Sequence, residues 1–317
     1  MTILILADDG DPSVDLVVEE LRERERSTAR FDIGDFPTGL DLAATFDAGR
    51  WTGRLRTPHR CVDLEAITGI WRRSPIAFRF PATLSGPERQ HAATEAKLGI
   101  GGVLLALPVP WLDRPDLAAT ATYKPLQLSV AGAVGLSVPS TLVTNRADAV
   151  RTFCRPRRAV TKMLGSPGIH ESNSRRIAYT ERVSALMLQQ LDGIATTAHQ
   201  FQQWVDKAFE VRVVVVGATL FAVAIHAGSP AAHIDWRADY ASLRYEVVAP
   251  PADVRDGVAT LMARLGLRYG ALDFAVDHDG RWWFLEVNPG GQYGWLEQQT
   301  GIGVTVAIAD LLTQGSA

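Results

Sequence analysis

Two apolar runs near the C-terminus, separated by four polar residues, constrain the fold more than any other part of this sequence. Residues 271–276 (ALDFAV) and 281–288 (RWWFLEVN) are rich in aromatic and β-branched side chains, as buried strands are. The segment between them, DHDG (277–280), has the composition of a turn. We therefore expect these residues to form a β-hairpin.

This hairpin is expected to gather oxygen ligands. Side chains alternate along a strand, so Phe284, Glu286 and Asn288 share one face. With a four-residue turn, Asp273 faces Phe284 on that face and lies diagonal to Glu286. Two carboxylates repel unless a cation lies between them, and Asp, Glu and Asn oxygens suit Mg²⁺. The sequence predicts a Mg²⁺ site at Asp273, Glu286 and Asn288; the alternative is a solvated hairpin face, which the apolar flanks disfavour.

Basic side chains in the middle of the chain are candidates for binding phosphates. Of the 32 basic residues only four are lysines, and Lys162 lies within an apolar strand pattern. Lys124 stands at the start of a predicted helix, where the helix dipole disfavours a cation unless an anion is close. Arg212 lies in the apolar run EVRVVVV and needs an anionic partner. The alternatives are lysines that reach water and a structural ion pair of the arginine with an acid.

A polar segment between two predicted strands, residues 165–176, is a further candidate phosphate site. It is read as a flexible loop, and it contains Gly165, Ser166 and Gly168. Backbone N–H groups of such a loop can close over phosphates. A glycine pair alone is weak evidence for this role.

Composition limits the partners and the location of the protein. The formal net charge of −3 lacks the basic excess that nucleic-acid binders usually show. The longest apolar stretch, residues 100–112, is too short and too rich in Gly and Pro to span a bilayer. Cys61 and Cys154 form no CxxC pair and suit a reducing compartment. We therefore predict a cytoplasmic protein with no nucleic-acid or membrane partner.

The N-terminal part is expected to form a parallel α/β layer. Residues 2–7 and 30–35 read as strands, and Pro12 opens a helix between them. The segment PVPWLDRPD (108–116) is interpreted as a linker because it is rich in Pro and Asp. The predicted fold class is α/β (α+β), with three domains at residues 1–115, 116–200 and 201–317.

Taken in chain order, these residues resemble the ATP-grasp superfamily of ligases. Two lysines, a polar loop, the run QQWV, an arginine in a strand, an aspartate and FLEVNP follow one another over residues 115–312. Their order and spacing are specific, although no single motif is. The resemblance implies an ATP-grasp fold with an N-terminal pre-ATP-grasp domain, and a nucleotide bound between the central and C-terminal domains.

The same resemblance implies a role for each site residue. Lys124, Lys162 and Arg212 would contact the phosphates of ATP and stabilise the transferring phosphoryl group. The hinge would run from Gln202 to Asp206, with the adenine edge and ribose bound by Gln203, Trp204, Val205 and Asp206. The loop with Gly165, Ser166 and Gly168 would cover the phosphates.

A closer resemblance is to the maturases of ribosomal peptides that make graspetides, the microviridin-type macrocycles. It is carried by WRRSP (71–75), PWLDRPD (110–116), YKPLQLSVA (123–131), DWR (235–237) and NPGGQYGWLE (288–297). The resemblance implies that Asp or Glu side chains of a precursor peptide are joined to Thr, Ser or Lys side chains as ω-esters or ω-amides. ATP and Mg²⁺ would be the cofactors, and the partner a peptide with a leader and an acidic, Thr-rich core. It also suggests a homodimer.

Four further residues are candidates for holding the acidic core or orienting its nucleophile, or else form ordinary surface pairs: Arg72, Arg73, Asp235 and Arg237. The chain departs from its relatives at two positions. Gln203 stands where many hinges have Glu, and Asp113 stands where relatives often have Asn. Two other functions stay open, an ATP-grasp ligase that acts on amino acids or dipeptides and a non-catalytic nucleotide-binding protein.

Overall fold

Three groups of strands, each covered by helices, make up the protein. The computed structural model describes residues 1–74, 77–165, 168–171 and 174–314. None of the helices within those ranges is long and apolar enough to cross a membrane.

The N-terminal group is a four-stranded parallel sheet with a smaller antiparallel sheet beside it. Its elements are β1 (Thr2–Ala7), α1 (Pro12–Glu23), β2 (Ser27–Phe31), β3 (Asp41–Asp47), β4 (Arg50–Arg56), β5 (Cys61–Asp63), β6 (Ile67–Ser74), α2 (Gly86–Ala106) and β7 (Trp111–Leu112), with 3-10 helices at Ile33–Asp35 and Leu64–Ala66. The parallel sheet has the order β2-β1-β6-β7, and β3-β4-β5 form the second sheet. Asp11 caps α1 by accepting a hydrogen bond from the Ser13 N–H, and Pro12 follows it. The predicted βαβ opening is confirmed, with the second strand ending at Phe31 rather than at residue 35.

The segment 108–116 is not the linker that its composition suggested. Trp111 and Leu112 form β7, which pairs in parallel with Ile70 and Trp71 of β6. Both β7 side chains are buried. The apolar pair therefore adds a strand to the sheet, because the burial of two large side chains outweighs the local turn preference of the flanking prolines.

The central group is a small antiparallel sheet flanked by short helices. It consists of α3 (Pro115–Ala121), α4 (Lys124–Ala133), β8 (Thr141–Thr144), α5 (Ala147–Cys154), β9 (Ala159–Lys162), β10 (Gly168–Glu171), β11 (Ser174–Ile177), β12 (Glu181–Arg182), α6 (Ala185–Gln189) and β13 (His199–Gln203), with a 3-10 helix at Asp192–Thr196. The sheet order is β12-β9-β13-β8. β10 and β11 pair as a separate antiparallel ribbon within the segment predicted to be a loop.

The C-terminal group is a five-stranded antiparallel sheet. Its elements are β14 (Lys207–Val216), β15 (Thr219–His226), α7 (Pro230–Ile234), β16 (Arg244–Val247), α8 (Ala252–Leu265), β17 (Tyr269–Asp277), β18 (Trp282–Asn288), α9 (Gly294–Thr300) and α10 (Val304–Thr313), with 3-10 helices at Trp236–Ala238 and Tyr240–Ser242. The strand order is β16-β15-β14-β17-β18. Gly266 ends α8 with a left-handed conformation, φ 68°, which favours glycine.

The two faces of β14 explain both its apolar sequence and the place of the site. Val211, Val213 and Val215 pack into a core beneath α8. On the other face, Val214 and Val216 share a core with the N-terminal sheet and α1. Arg212 alternates with Val211 and Val213 and so lies on the face of Val214, one position beyond that shared core. On this face of the sheet, polar residues such as Arg212 therefore lie just beyond the part that the N-terminal group covers.

Candidate active site

The hairpin β17–β18 holds the two predicted carboxylates directly opposite each other. Asp273 pairs in register with Glu286, and Ala271 pairs with Asn288. The predicted diagonal arrangement is therefore wrong by one step, because β18 contains a bulge between Phe284 and Glu286. The correction brings the two carboxylates closer than the sequence suggested.

The same bulge removes Phe284 from the face of Glu286. Phe284 pairs with Phe274, and the ring centroids are 5.6 Å apart within the core beneath α8. The extra residue, Leu285, instead lines the cleft on the other face together with Glu286. The ribbon thus presents one apolar face to the core and one carboxylate-bearing face to the cleft.

Two arginines contact Asp273. Arg212, its cross-strand neighbour on β14, approaches Oδ1 at 3.3 Å. Arg237 donates to Oδ2 at 2.7 Å and lies 3.8 Å from Glu286. Both guanidinium groups also lie over the ring of Trp236, at 5.6 Å and 4.2 Å. Arg212 Nε is buried without a hydrogen-bond partner among the described residues.

Helix α4 places Lys124 beside Glu286. The Lys124 ammonium lies 2.9 Å from Glu286 Oε2 and donates to the Met163 carbonyl at 2.7 Å. One turn further along α4, the buried Gln127 side chain donates to the Val287 carbonyl and accepts from the Val287 N–H, at 2.8 and 2.9 Å. Gln127 could not be predicted from the sequence, because a buried amide leaves no periodic signal. It anchors the helix to β18 between Glu286 and Asn288, the two predicted metal ligands of that strand.

Lys162 faces the carboxylates from the end of β9. Burial lowers the pKa of its ammonium group, and the charge of Glu286 opposes that shift. Burial would raise the pKa of Glu286, but Lys162, Lys124 and Arg237 outweigh it and bring that pKa to about 2. Glu286 is therefore ionised at neutral pH, as a metal ligand must be.

A narrow cleft with a cavity volume of about 60 Å³ lies between the central and C-terminal sheets. Gln203, Trp204 and Val205 line it, opposite Lys162. The N–H groups of Gln203 and Trp204 are already used, bonding the carbonyls of Ser140 and Arg158 at 2.8 and 2.9 Å. The Val205 N–H has no hydrogen bond within the part of the chain that the structure describes. Of the three predicted amides, that one is open to an adenine edge.

Two other residues predicted to bind the nucleotide, Asp206 and Gly165, do not line the cleft. Asp206 is exposed and pairs with Arg158 at 3.3 Å. Gly165 is exposed after β9, and Gly168 begins β10. Ser166 lies outside the described residues.

A buried ion pair in the cleft was not predicted. Lys207 and Glu210 bond each other, and both line the cleft floor. Lys207 also lies 5.1 Å from the ring centre of Trp204. Burial raises the pKa of Glu210, and Lys207 opposes that shift. The spacing of Glu210 and Arg212, two residues apart on one strand, is a signal that could have revealed this shared face.

The four predicted substrate residues fall into two places. Asp235 and Arg237 lie in the cleft wall, where Asp235 accepts hydrogen bonds from the N–H groups of Thr180 and Arg237 at 3.0 and 3.1 Å. Arg72 is half-buried on β6, and burial lowers the pKa of its guanidinium. Arg73 is buried, and its donors are engaged by the protein itself, so it is not free to hold a substrate. The expectation for Arg73 as a substrate residue is corrected accordingly.

The donor set suits a hard divalent cation. No group of three or more His, Cys, Asp or Glu side chains with metal-binding geometry occurs among the described residues. Mg²⁺ commonly takes only one or two carboxylates and completes its shell with water and phosphates. Asp273, Glu286 and the amide oxygen of Asn288 fit that requirement when a nucleotide is present.

Comparison with known proteins agrees with this geometry. Residues 2–118 match the family described as MvdD pre-ATP grasp domain. No protein with a curated description matches the chain. The RiPP-associated ATP-grasp ligase of Chryseobacterium gregarium, solved with ADP, leader and core peptide, is 27% identical with a TM-score of 0.89, covering 99% of this chain and 96% of that one.

Two macrocyclases of Microcystis aeruginosa MRC are similar over their full lengths. MdnC, solved with its precursor peptide MdnA, is 28% identical with a TM-score of 0.88, over 99% of this chain and 100% of that one. MdnB is 29% identical with a TM-score of 0.83, over 98% of both chains. The D-cycloserine synthetase DcsG shares the fold alone, at 17% identity and a TM-score of 0.63. The matched domain and these solved structures show that the chain is similar to the RiPP-associated ATP-grasp ligases and macrocyclases, the resemblance that the sequence predicted.

Proposed function

We propose that the protein is an ADP-forming ligase that activates Asp or Glu side chains of a ribosomal precursor peptide and joins them to Thr, Ser or Lys side chains. The observation that carries this proposal is the pair Asp273–Glu286, opposite each other on the ribbon and surrounded by Lys124, Lys162 and Arg212. Fixed cations around ionised carboxylates are suited to binding Mg²⁺ together with a triphosphate.

Mg²⁺ would be held by Asp273, Glu286 and Asn288. When bound, it neutralises phosphate charge and polarises the transferring phosphoryl group. Arg237, which bridges the two carboxylates, also pairs with Asp235 at 3.4 Å and so would keep an anionic partner when Mg²⁺ binds. We propose that it contacts a carboxylate of the peptide. The oxygen donors of Asp273, Glu286 and Asn288 support this assignment of Mg²⁺.

ATP would lie in the cleft with its adenine against Trp204 and the Val205 N–H. Lys124, Lys162 and Arg212 would hold the phosphates, and Gly165, Ser166 and Gly168 would cover them. Ribose binding by Asp206 is not supported, since that side chain lies outside the cleft lining. The buried Glu210 is a better-placed acceptor for the sugar hydroxyls.

The reaction would proceed in two balanced steps. A peptide carboxylate oxygen bonds to the γ-phosphorus while the bond to the β–γ bridging oxygen breaks, giving an acyl phosphate and ADP. The hydroxyl or amine of the acceptor side chain then bonds to the acyl carbon, loses one proton and displaces phosphate. The protein contributes position and charge in both steps, because phosphoryl transfer needs little covalent chemistry from the enzyme.

A peptide partner is supported by the similar ligases that were solved with leader, core or precursor peptides. We propose a leader plus an acidic, Thr-rich core for this protein as well. Arg72 and Arg237 are cations that such a core can approach. We further propose that the chain divides into three domains, at residues 1–115, 116–200 and 201–317. Homodimer assembly and a cytoplasmic location are also proposed.

Mass spectrometry of a candidate precursor peptide tests the proposal. Wild-type enzyme with Mg²⁺ and ATP should remove one water per ring formed, with one ADP released for each. The Asp273→Asn variant is the matched control and should leave the peptide mass unchanged. Consumption of free amino acids with no water lost from the peptide would instead indicate a ligase of small substrates.

A further inference from the structure

A buried arginine joins the N-terminal sheet to the loop that follows β18. The Arg73 guanidinium donates to the carbonyls of Gly290 and Gly291 at 2.8 and 3.0 Å, and to the side chain of Gln292 at 2.6 Å. Asp11 balances its charge at 3.3 Å. A buried guanidinium with this many acceptors holds the loop in one conformation, because moving the loop would leave the charge unsatisfied.

The other side of this loop lies against the reaction site. A Cβ atom added to Gly291 would come within 2.8 Å of Arg212 Nη2 and 3.2 Å of the Asn288 Cβ. The bare backbone of Gly291 is therefore what lets Arg212 and Asn288 take their places. Tyr269 adds a second support, since its hydroxyl donates to the Gly291 carbonyl at 2.5 Å.

The other strand of the ligand-bearing ribbon, β17, is also held from the N-terminal sheet, at the same end of the ribbon. Asp113, directly after β7, accepts hydrogen bonds from the N–H groups of Arg268 and Tyr269 at 2.7 and 3.0 Å. Those two residues lead into β17, which carries Asp273. Both the start of β17 and the end of β18 are thus fixed by charged side chains of one neighbouring unit.

We propose that Arg73 is a positioning residue for phosphoryl transfer, which acts through Gly290–Gln292 on Arg212 and Asn288. Catalytic groups must be held within about 0.5 Å of their productive positions, and the loop is the backbone on which these two depend. The inference rests on the proposed function, because it assigns Arg73 a role in the same site.

The test compares Arg73→Lys with Arg30→Lys as a matched control. Arg30 is also largely buried and pairs with Asp15 at 2.6 Å, but its contacts stay within the N-terminal group. Lysine keeps the charge at either position and loses the fork of donors. For Arg73→Lys we expect kcat to fall ~10–100-fold and the Mg²⁺ concentration for half-maximal ADP binding to rise ~10-fold, with the KM for peptide unchanged. Arg30→Lys should lower Tm and leave these constants within about twofold.

Calorimetric Mg·ADP binding separates this inference from the proposed function, because it requires no peptide chemistry. Equal loss of Tm in the two variants, with Mg²⁺ dependence and kcat unchanged in both, would overturn the positioning role. If Arg73→Lys does not fold, Tyr269→Phe removes only the second support of Gly291. That variant should raise the half-saturating Mg²⁺ concentration ~3-fold, and an unchanged value would contradict the proposal.

Discussion

Two buried clusters of charge lie on either side of one glycine loop, and they differ in what completes them. The interface cluster, Arg73 with Asp11, is balanced, and its remaining donors bond carbonyl and amide oxygens of the protein. The reaction cluster consists of four cations and three carboxylates: Lys124, Lys162, Arg212, Arg237, Asp235, Asp273 and Glu286.

The difference indicates which cluster is structural and which awaits a ligand. Buried charges are costly unless paired, so a cluster with one cation in excess is completed by an anion from outside. Under the proposed function, a nucleotide triphosphate with its metal would supply that anion. The interface cluster needs nothing from solution, which is why Arg73 supports the site without binding substrate.

The largest effect is expected from removing a carboxylate of the reaction cluster. Glu286→Gln keeps the shape of the side chain and removes one ligand charge, so ATP turnover should fall ~10³-fold. A coupled assay for ADP release measures it. Glu246→Gln, on β16 of the same sheet, is the control, because Glu246 is exposed and pairs with His226 at 3.5 Å, away from the cleft. Turnover within tenfold of wild type for Glu286→Gln would remove the metal assignment.

The free energy of unfolding should depend more on Arg73, in the interface cluster, than on Arg237, in the reaction cluster. Arg73→Leu removes a buried guanidinium with its bonds to Gly290, Gly291 and Gln292, and should lower the free energy of unfolding by about 3–5 kcal/mol. Arg237→Leu removes the excess cation, and Asp273 keeps Arg212, so the loss should stay below about 1 kcal/mol. Urea denaturation measures both values. A larger loss for Arg237→Leu would mean that the reaction cluster is the structural one.

Asp113 also lies at the interface, where no cation within the described ranges forms an ion pair with it. Burial raises its pKa to about 6, although the N–H groups of Arg268 and Tyr269 oppose that shift. The folded protein therefore binds the proton of the Asp113 carboxyl group more tightly than the unfolded chain does. The stability that this proton contributes is lost as pH rises from about 4 through about 6.

The size of this effect follows from the pKa difference, at about 1.4 kcal/mol per unit, and amounts to roughly 3 kcal/mol. Part of that loss has already occurred at pH 4, so wild type should lose about 2 kcal/mol more stability than Asp113→Asn between pH 4 and 7, as urea denaturation at each pH would measure. Parallel stability profiles for the two proteins would show that the carboxyl group titrates normally.

The smallest effect is expected at Asp206. Its carboxylate points to Arg158 on the surface and not into the cleft. The KM for ATP of Asp206→Ala should therefore stay within about twofold of wild type in the same ADP-release assay. A tenfold rise would restore Asp206 as a ribose ligand.

Chain order allowed the reaction cluster to be predicted, but not its details. Lys124, Arg212 and Glu286 stand out in sequence because charged residues in or beside apolar elements need partners. The register of Asp273 with Glu286 could not be predicted, since the bulge before Glu286 adds a residue without a sequence signal. A hairpin model with an unbroken ladder misplaces every residue beyond the bulge.

Residues whose role depends on contacts distant in sequence were harder to predict. Arg73 meets Gly290 from more than two hundred positions away, so an exposed substrate role and a buried supporting one have the same local sequence. Trp111 and Leu112 looked like a linker because proline and aspartate surround them. In each case tertiary burial decided the outcome, and burial is a property of the whole fold.

The Mg²⁺ dependence of ADP binding tests the central claim most directly. Isothermal titration calorimetry of the wild-type chain should show ADP binding that strengthens at least tenfold when Mg²⁺ replaces EDTA. Asp273→Asn should lose that gain while keeping its affinity for ADP without metal. Equal affinities with and without Mg²⁺ in wild type, or an undiminished gain in Asp273→Asn, would contradict the account.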